Sequence, residues 1–188
     1  MLAVPLAVGC GFFPEIGVTI FGREAFGPAE DNLRVMSVFL LLVYFSMPLG
    51  SILLAGGKQR AWSGAQALCI LFSLVLDPLL IPWFQRRTQN GGLGVCVAGV
   101  VSEVVMVGLG VWLAPRGIFD RALFKQLGLV LLAGGVMVAC AKLLAFTSPF
   151  VAAPIALGVY LAALWLVGGV DRELLTSLKG AVARKFRR

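Results

Sequence analysis

The chain contains no histidine, and charged residues make up only 13% of its 188 residues. Without histidine, the commonest general base and metal ligand is absent, which excludes serine–histidine hydrolysis. Aspartyl hydrolysis within a membrane needs two facing carboxylates, and Asp77 is the one aspartate inside an apolar run. A glycine-rich phosphate-binding loop is also missing. These absences predict a protein that is not an enzyme and that uses no cofactor or metal.

Cysteine is scarce and its spacing is uninformative. The four cysteines lie in four different apolar runs, with no metal-ligand pattern among them: Cys10, Cys69, Cys96 and Cys140. A buried cysteine behaves as a small apolar residue. We therefore expect these thiols to be packing residues.

Apolar residues dominate what is present, at 60% of the chain, and the mean hydropathy is +0.96. About 20 apolar residues cross the roughly 30 Å hydrocarbon core as a helix. Six runs meet this length, near residues 2–21, 33–55, 62–84, 91–113, 125–146 and 150–170. Alternating segments of about ten residues, the barrel pattern, are absent. The sequence predicts an all-α integral membrane protein whose six-helix domain covers residues 1–170.

Residues 171–188 have a different character, because apolar and basic residues alternate there with a helical period. Leucines at 174, 175 and 178 share a face with Val182 and Phe186. The basic residues proposed to bind the membrane surface are Lys179, Arg184, Lys185, Arg187 and Arg188. The pattern predicts an amphipathic helix that lies on anionic membrane lipid. The alternative is a frayed basic tail that only sets topology.

Basic residues in the connections predict the orientation. Eleven lysines and arginines fall on one side of the six spans, counting the tail, and four fall on the other. Cytoplasmic segments carry the excess of positive charge. We therefore expect a multi-pass protein of the cell membrane with both termini in the cytoplasm, an orientation that depends mainly on the tail.

Four ionisable residues lie inside the predicted spans and are the candidates for a polar path: Glu103, Asp77, Lys142 and Glu15. Glu103 is the deepest, and a carboxylate there normally faces a packed bundle or a wet cavity. The structural alternative is a hydrogen bond to a neighbouring helix. Asp77 and Lys142 have similar predicted depths and could pair, although a lysine that snorkels to the surface without a partner is the favoured picture. Glu15 follows Pro14, where a packing or kink role competes with function.

Smaller features predict how the spans pack. Small residues four apart allow helices to approach closely, and they occur at Ala98 and Ser102, Ala152 and Ala156, and Gly158 and Ala162. Tryptophans at membrane surfaces flank a span. Trp62 and Trp83 stand at the two ends of the third span and are predicted to be interfacial.

Several motifs occur in an order that resembles a known family. The first span opens on residues 5–7 (PLA) and closes on residues 20–22 (IFG), with 27–29 (GPA) after it. Small residues then lead into a basic turn at 53–58 (LLAGGK). The sequence LLIP at 79–82 leads through NGGLG at 90–94 to Ala98 and to SEV at 102–104. Over residues 1–115 this order resembles polysaccharide flippases of the multidrug/oligosaccharidyl-lipid/polysaccharide exporter superfamily.

The resemblance implies the C-terminal part of a Wzx-like protein that moves lipid-linked oligosaccharide between leaflets by alternating access. Such proteins have about twelve to fourteen helices in two lobes, so six helices would form part of one lobe. The implied partners are membrane lipids, the lipid-linked oligosaccharide and a missing N-terminal lobe or partner subunit, with no role for nucleic acid. A fragment, a split-gene subunit and a truncated gene model remain open.

Two other functions remain open from the sequence. A multidrug or toxin antiporter of the same superfamily would depend on titration of carboxylates such as Glu103 or Asp77. A non-transporting membrane scaffold subunit would need neither. A flippase cavity for an anionic lipid diphosphate should contain cations, and among the spans only Lys142 supplies one.

Overall fold

All regular structure in the described part of the chain is α-helical. The computed structural model describes residues 3–22, 26–115, 117–144 and 146–166. Its long helices, in chain order, are α1 (Ala3–Phe12), α2 (Pro14–Phe21), α3 (Ala29–Ala55), α4 (Gln59–Thr88), α5 (Gly91–Leu113), α6 (Arg121–Leu143) and α7 (Pro149–Leu166).

Five of these helices, α3 to α7, are long and apolar enough to cross a membrane. Helices α1 and α2 qualify only as a pair, bent by 68° at Phe13. Five or six spans are therefore compatible with the described residues, which agrees with an all-helical membrane protein. The predicted amphipathic tail and its basic residues lie outside the described residues, as do residues 167–170 of the last predicted span.

The first predicted span, residues 2–21, is wrong as a continuous helix. Pro14 occupies the first position of α2, where its missing N–H costs nothing and its fixed φ favours a helix start. The residue before a proline is pushed out of the α region, and Phe13 accordingly has φ −124° and ψ 45°. The proline therefore ends α1 and begins α2 in a new direction.

The bent pair nevertheless advances in one direction along α3. Val4 and Leu41 line the same cavity, whereas a Cβ on Gly11 would meet Ser37 Oγ at 2.9 Å. Further along, a Cβ on Gly17 would lie 3.5 Å from Leu33. Successive residues of the bent pair thus contact positions on α3 that lie steadily closer to the N-terminus of α3. This order is expected for a broken span, whereas a segment that turned back would contact the same positions twice.

Helices α3, α4 and α5 form one packed group, here called the front unit. Helix α5 packs along both α3 and α4, whereas α3 and α4 touch each other much less. At one end of the unit, Gly94 of α5 is buried against the backbone of Leu80 in α4, where a Cβ would come within 2.7 Å of the carbonyl oxygen. At the other end Trp62 packs against Gly50 and Gly110. Helix α5 is therefore the floor of a groove between α3 and α4.

Helices α1, α6 and α7 form a second group, here called the back unit. Its core is a cluster of small and apolar residues from all three helices: Val4, Val130, Ala133, Met137, Ala141, Ala156, Tyr160 and Leu164. The predicted close packing at Ala152 and Ala156 is confirmed, since they are 1% and 0% exposed. The pair Gly158 and Ala162 is exposed, so that part of the prediction is wrong. Contacts of α1 with α3 join the two units.

The predicted and observed bounds differ most at polar ends. Residues 91–113 were predicted as a span and form α5 over the same range. The predicted span 62–84 is α4, Gln59–Thr88, because polar residues at both ends continue the helix beyond the apolar run. Span 33–55 is α3 from Ala29, and span 125–146 is α6, which ends at Leu143.

Candidate functional site

Glu103 of α5 is half-buried and faces Ser46 of α3, whose hydroxyl is within hydrogen-bonding reach of its carboxylate. Ser46 is only 7% exposed, so its side of this polar contact is enclosed by the helices. Both arrangements weighed for Glu103 from the sequence are present together: it contacts a neighbouring helix, and it lines a cavity.

The surroundings of Ser46 satisfy Glu103 in either protonation state. A serine hydroxyl carries one hydrogen and can also accept. Ser46 Oγ is within reach of the carboxylate and also 3.2 Å from the carbonyl oxygen of Val43. If Glu103 is ionised, Ser46 donates to it; if Glu103 is protonated, it donates to Ser46, which donates to Val43. The Ser46 hydroxyl can therefore act toward Glu103 as a donor or as an acceptor.

A cavity of about 340 Å³ opens beside this pair, in the groove between α3 and α4. Its polar lining comes from Glu103, Ser46, Ser51 and Gln66, and its apolar walls include Met47 and Met106 among others. Glu103 is the one charged residue in this lining. Hydrogen-bonding groups from all three helices of the front unit thus converge on a single cavity.

Polar residues recur along the same face of α4, here called the polar stripe, with the exposed Ile70 between Gln66 and Ser73. Ser63, Gln66, Ser73 and Asp77 fall within about a quarter of the helix circumference, because the helix turns by about 100° per residue. Ser63 and Gln66 are exposed, and Ser73 donates to Asp77 at 3.4 Å. The packed residues Trp62, Ala65 and Cys69 border the same stripe. Polar groups at membrane depth are costly against lipid and normally face protein or water.

Hydrogen bonds fix both ends of the front unit. At one end Gly57, with φ 73°, closes α3 in a Schellman motif, with Gly57 N–H donating to Leu54 and Lys58 N–H to Leu53. The turn places Lys58 so that its Nζ donates to the carbonyl oxygen of Leu113, at 2.6 Å. The last carbonyls of α5 thereby gain a cationic partner.

At the opposite end Asn90 joins three segments. Its side-chain nitrogen donates to the carbonyl oxygen of Pro28 and to Asn32 Oδ1, both at 2.9 Å. Its side-chain oxygen caps α5 by accepting from the Leu93 N–H at 3.3 Å. We call this the Asn90 end and the other the Lys58 end.

A second cavity of about 470 Å³ lies on the other side of α3, between the two units. Its walls are almost wholly apolar, with Leu41, Leu49, Val107 and Leu127 among them. We call it the apolar cleft. The same helix thus borders a polar cavity on one face and an apolar one on another.

The structure does not bring Asp77 and Lys142 together. Asp77 lies in α4 of the front unit, whereas Lys142 is exposed in the last turn of α6 in the back unit. Within the described residues the ion pair formed is Arg34–Asp31, at 3.1 Å.

Glu15 stands half-buried in the first turn of α2, directly after the bend, and away from the lining of either cavity.

Sequence reasoning missed Ser46, Ser51 and Gln66. A polar stripe on α4 was detectable, because Ser63, Gln66, Ser73 and Asp77 recur at helical spacing.

Trp62 was predicted to be interfacial, but it is 6% exposed and packs between α3 and α5. Trp83 agrees better with that role, since it is 46% exposed and carries the Arg87 guanidinium 4.7 Å above its ring.

Comparisons of the chain with protein-family models, with curated proteins and with solved structures found no match.

Proposed function

We propose that the chain forms part of one lobe of a flippase that moves lipid-linked oligosaccharide across the cytoplasmic membrane, with the groove of the front unit along the path. The observation that carries the proposal is the groove itself: a carboxylate, hydroxyls and an amide line a cavity of about 340 Å³ at membrane depth. Transporters place substrate sites near the bilayer midplane, between helices that move.

The polar stripe of α4 supports the same proposal. An exposed polar face in hydrocarbon requires a protein or aqueous neighbour. In the proposed transporter the Lys58 end faces the cytoplasm, the stripe of α4 faces the substrate path, and further helices close its open side. These would come from the other lobe or a partner subunit.

An accessibility experiment tests the aqueous path. Single cysteines at Gln66 and Ser73, in a background without the native cysteines, should react with a membrane-impermeant thiol reagent in vesicles. Leu68 and Val75 are the matched controls, because they lie at similar depth on another exposed face of α4. Equal reactivity at all four positions would contradict a path along this face.

Flipping itself is tested in proteoliposomes. The chain combined with the helices that complete its cavity should transfer a fluorescent polyprenyl-diphosphate oligosaccharide between leaflets, and the chain alone should not exceed empty liposomes. Robust flipping by the chain alone would mean that an oligomer rebuilds the cavity. No transfer by the completed assembly would contradict the flippase proposal.

The Ser46–Glu103 network favours a second candidate, a multidrug or toxin antiporter. A coupling carboxylate must take up and release a proton during each cycle, and Ser46 provides a partner for both states. Drug transport driven by an imposed pH gradient and abolished in Glu103→Gln would support the antiporter. Transport indifferent to the gradient would support the flippase.

A further inference from the structure

The charge of the groove cavity restricts what can occupy it. Glu103 supplies one carboxylate, and the lining contains no lysine or arginine to offset it. Lys58 is engaged with the carbonyl of Leu113, and Lys142 belongs to α6 of the back unit. When Glu103 is ionised, a diphosphate or a sugar acid placed here would meet an uncompensated like charge, a juxtaposition that strongly disfavours binding.

The remaining lining favours hydroxyl groups. The carboxylate of Glu103 accepts hydrogen bonds, and the amide of Gln66 and the hydroxyl of Ser51 both accept and donate. Val43, Met47 and other apolar side chains line the walls between these polar groups. Such a mixture suits a ring that has hydroxyls at its edge and C–H groups on its faces. At about 340 Å³ the cavity is also far larger than a single ion requires.

We infer that this cavity takes a sugar without negative charge, either a neutral or an amino sugar of the lipid-linked oligosaccharide, and that Glu103 rejects acidic sugars. The inference rests on the proposed function and specifies the substrate for the same site. The diphosphate of the substrate must then be bound elsewhere in the assembly.

Binding of defined probes to the full chain in nanodiscs tests the inference. The probes are polyprenyl diphosphates that carry one neutral hexose, one amino sugar or one uronic acid, with bare polyprenyl diphosphate as the baseline. The neutral and amino-sugar probes should bind about tenfold or more tighter than the uronic-acid probe. In Glu103→Gln the affinity of the uronic-acid probe should rise toward that of the neutral and amino-sugar probes.

Two further variants sharpen the result. Glu15→Gln removes another carboxylate of an apolar segment that does not line the cavity, so it should leave the order of affinities unchanged. Ser51→Arg adds a cation to the lining while keeping Glu103, and it should favour the uronic-acid probe. This variant also keeps the test decisive if Glu103→Gln folds poorly.

The outcomes separate the inference from the proposed function. If all three sugars bind wild type equally and above the baseline, or if Glu103→Gln retains the discrimination, the specificity inference is wrong and the flippase proposal stands. If no sugar improves on bare polyprenyl diphosphate in any variant, the groove is not a sugar site, and both the inference and the proposed path along the front unit fail.

Discussion

The front unit is built from longer helices than the back unit, of 27, 30 and 23 residues against 10, 23 and 18, and the two units are also held together differently. The front unit has hydrogen bonds between its helices and connections, at Ser46–Glu103, Lys58–Leu113 and Asn90–Pro28. The back unit packs small residues such as Ala133 and Ala156 closely around its core. Both are recognised ways to associate helices in lipid, where helices gain little from the hydrophobic effect.

The difference between the two units bears on the proposed solute path. Close packing of small residues leaves no space for a solute, whereas a hydrogen-bonded groove combines fixed polar groups with an open cavity. Helix α3 borders the polar cavity through Ser46 and Ser51, whereas its apolar face at Leu41 and Leu49 lines a cleft without charged groups. This contrast supports the proposal that the solute path lies in the front unit, with the back unit as its support.

The largest effect is expected where the front unit is itself closely packed. A valine at Gly94 would place its Cβ 2.7 Å from the Leu80 carbonyl oxygen, and backbone cannot move aside as a side-chain end can. Gly94→Val should lower the free energy of unfolding by about 3 kcal/mol, the upper range for overpacking. Gly108→Val on the same helix is the control, because a Cβ there meets nothing within 4 Å. Equal unfolding of both variants in a detergent denaturation series would contradict the packing described for α4 and α5.

The next effect tests close packing in the back unit. A Cβ on Gly134 would meet Val4 Cγ1 at 2.5 Å, whereas a Cβ on the adjacent Gly135 meets nothing within 4 Å. Gly134→Leu should destabilise the protein by about 2 kcal/mol, less than at Gly94 because Val4 can shift. Gly135→Leu should be near neutral. If thermal unfolding of the two leucine variants coincides, α1 does not pack on α6 as described.

Much of the helical architecture could be predicted from the sequence. The apolar runs predicted helices α3 to α7 because span length and hydropathy are local properties, and α5 begins and ends as predicted. The bend at Phe13 was also readable, since Pro14 restricts the residue before it. The predicted span 2–21 nevertheless followed from hydropathy, because the segment is apolar on both sides of the bend.

The site was predictable only in part. The depth of Glu103 follows from its place in an apolar run, but its partner Ser46 lies 57 residues earlier, and only tertiary packing brings them together. Trp62 has the position of an interfacial residue in sequence, yet Gly50 and Gly110 on two other helices create a place for its ring. Such pairings depend on which helix faces are neighbours, and a single sequence contains no direct record of that.

A smaller effect should follow from loosening the Asn90 end. Asn90→Ala removes the bonds to Pro28 and Asn32 together with the cap on α5. The loss of a cap alone costs about 1 kcal/mol, so we expect about 1.5 kcal/mol in thermal unfolding. Asn32→Ala loses one of these bonds and should cost less. An Asn90→Ala variant as stable as wild type would show that this junction does not hold the front unit together.

The smallest effect on stability is expected at the site itself. Glu103→Leu removes the partner of Ser46, but the Ser46 hydroxyl keeps the carbonyl of Val43 within reach and is not left unsatisfied. We therefore expect a loss of about 1 kcal/mol, the scale of hydrogen bonds between membrane helices. Glu103→Gln keeps the shape and a hydrogen-bonding group, so it should unfold close to wild type.

A double-mutant cycle with Ser46→Ala isolates the pair. If the contact stabilises the front unit, Glu103→Leu should cost measurably less in the Ser46→Ala background than in wild type. Strict additivity would mean that the two side chains are neighbours without a net interaction. The informative comparison is between the losses in free energy of unfolding caused by Glu103→Leu and by Gly94→Val. A residue whose role is functional should contribute less to the free energy of unfolding than a glycine that packing requires. A Glu103→Leu loss as large as that of Gly94→Val would assign Glu103 to the architecture of the front unit and remove the main reason for placing the solute path there.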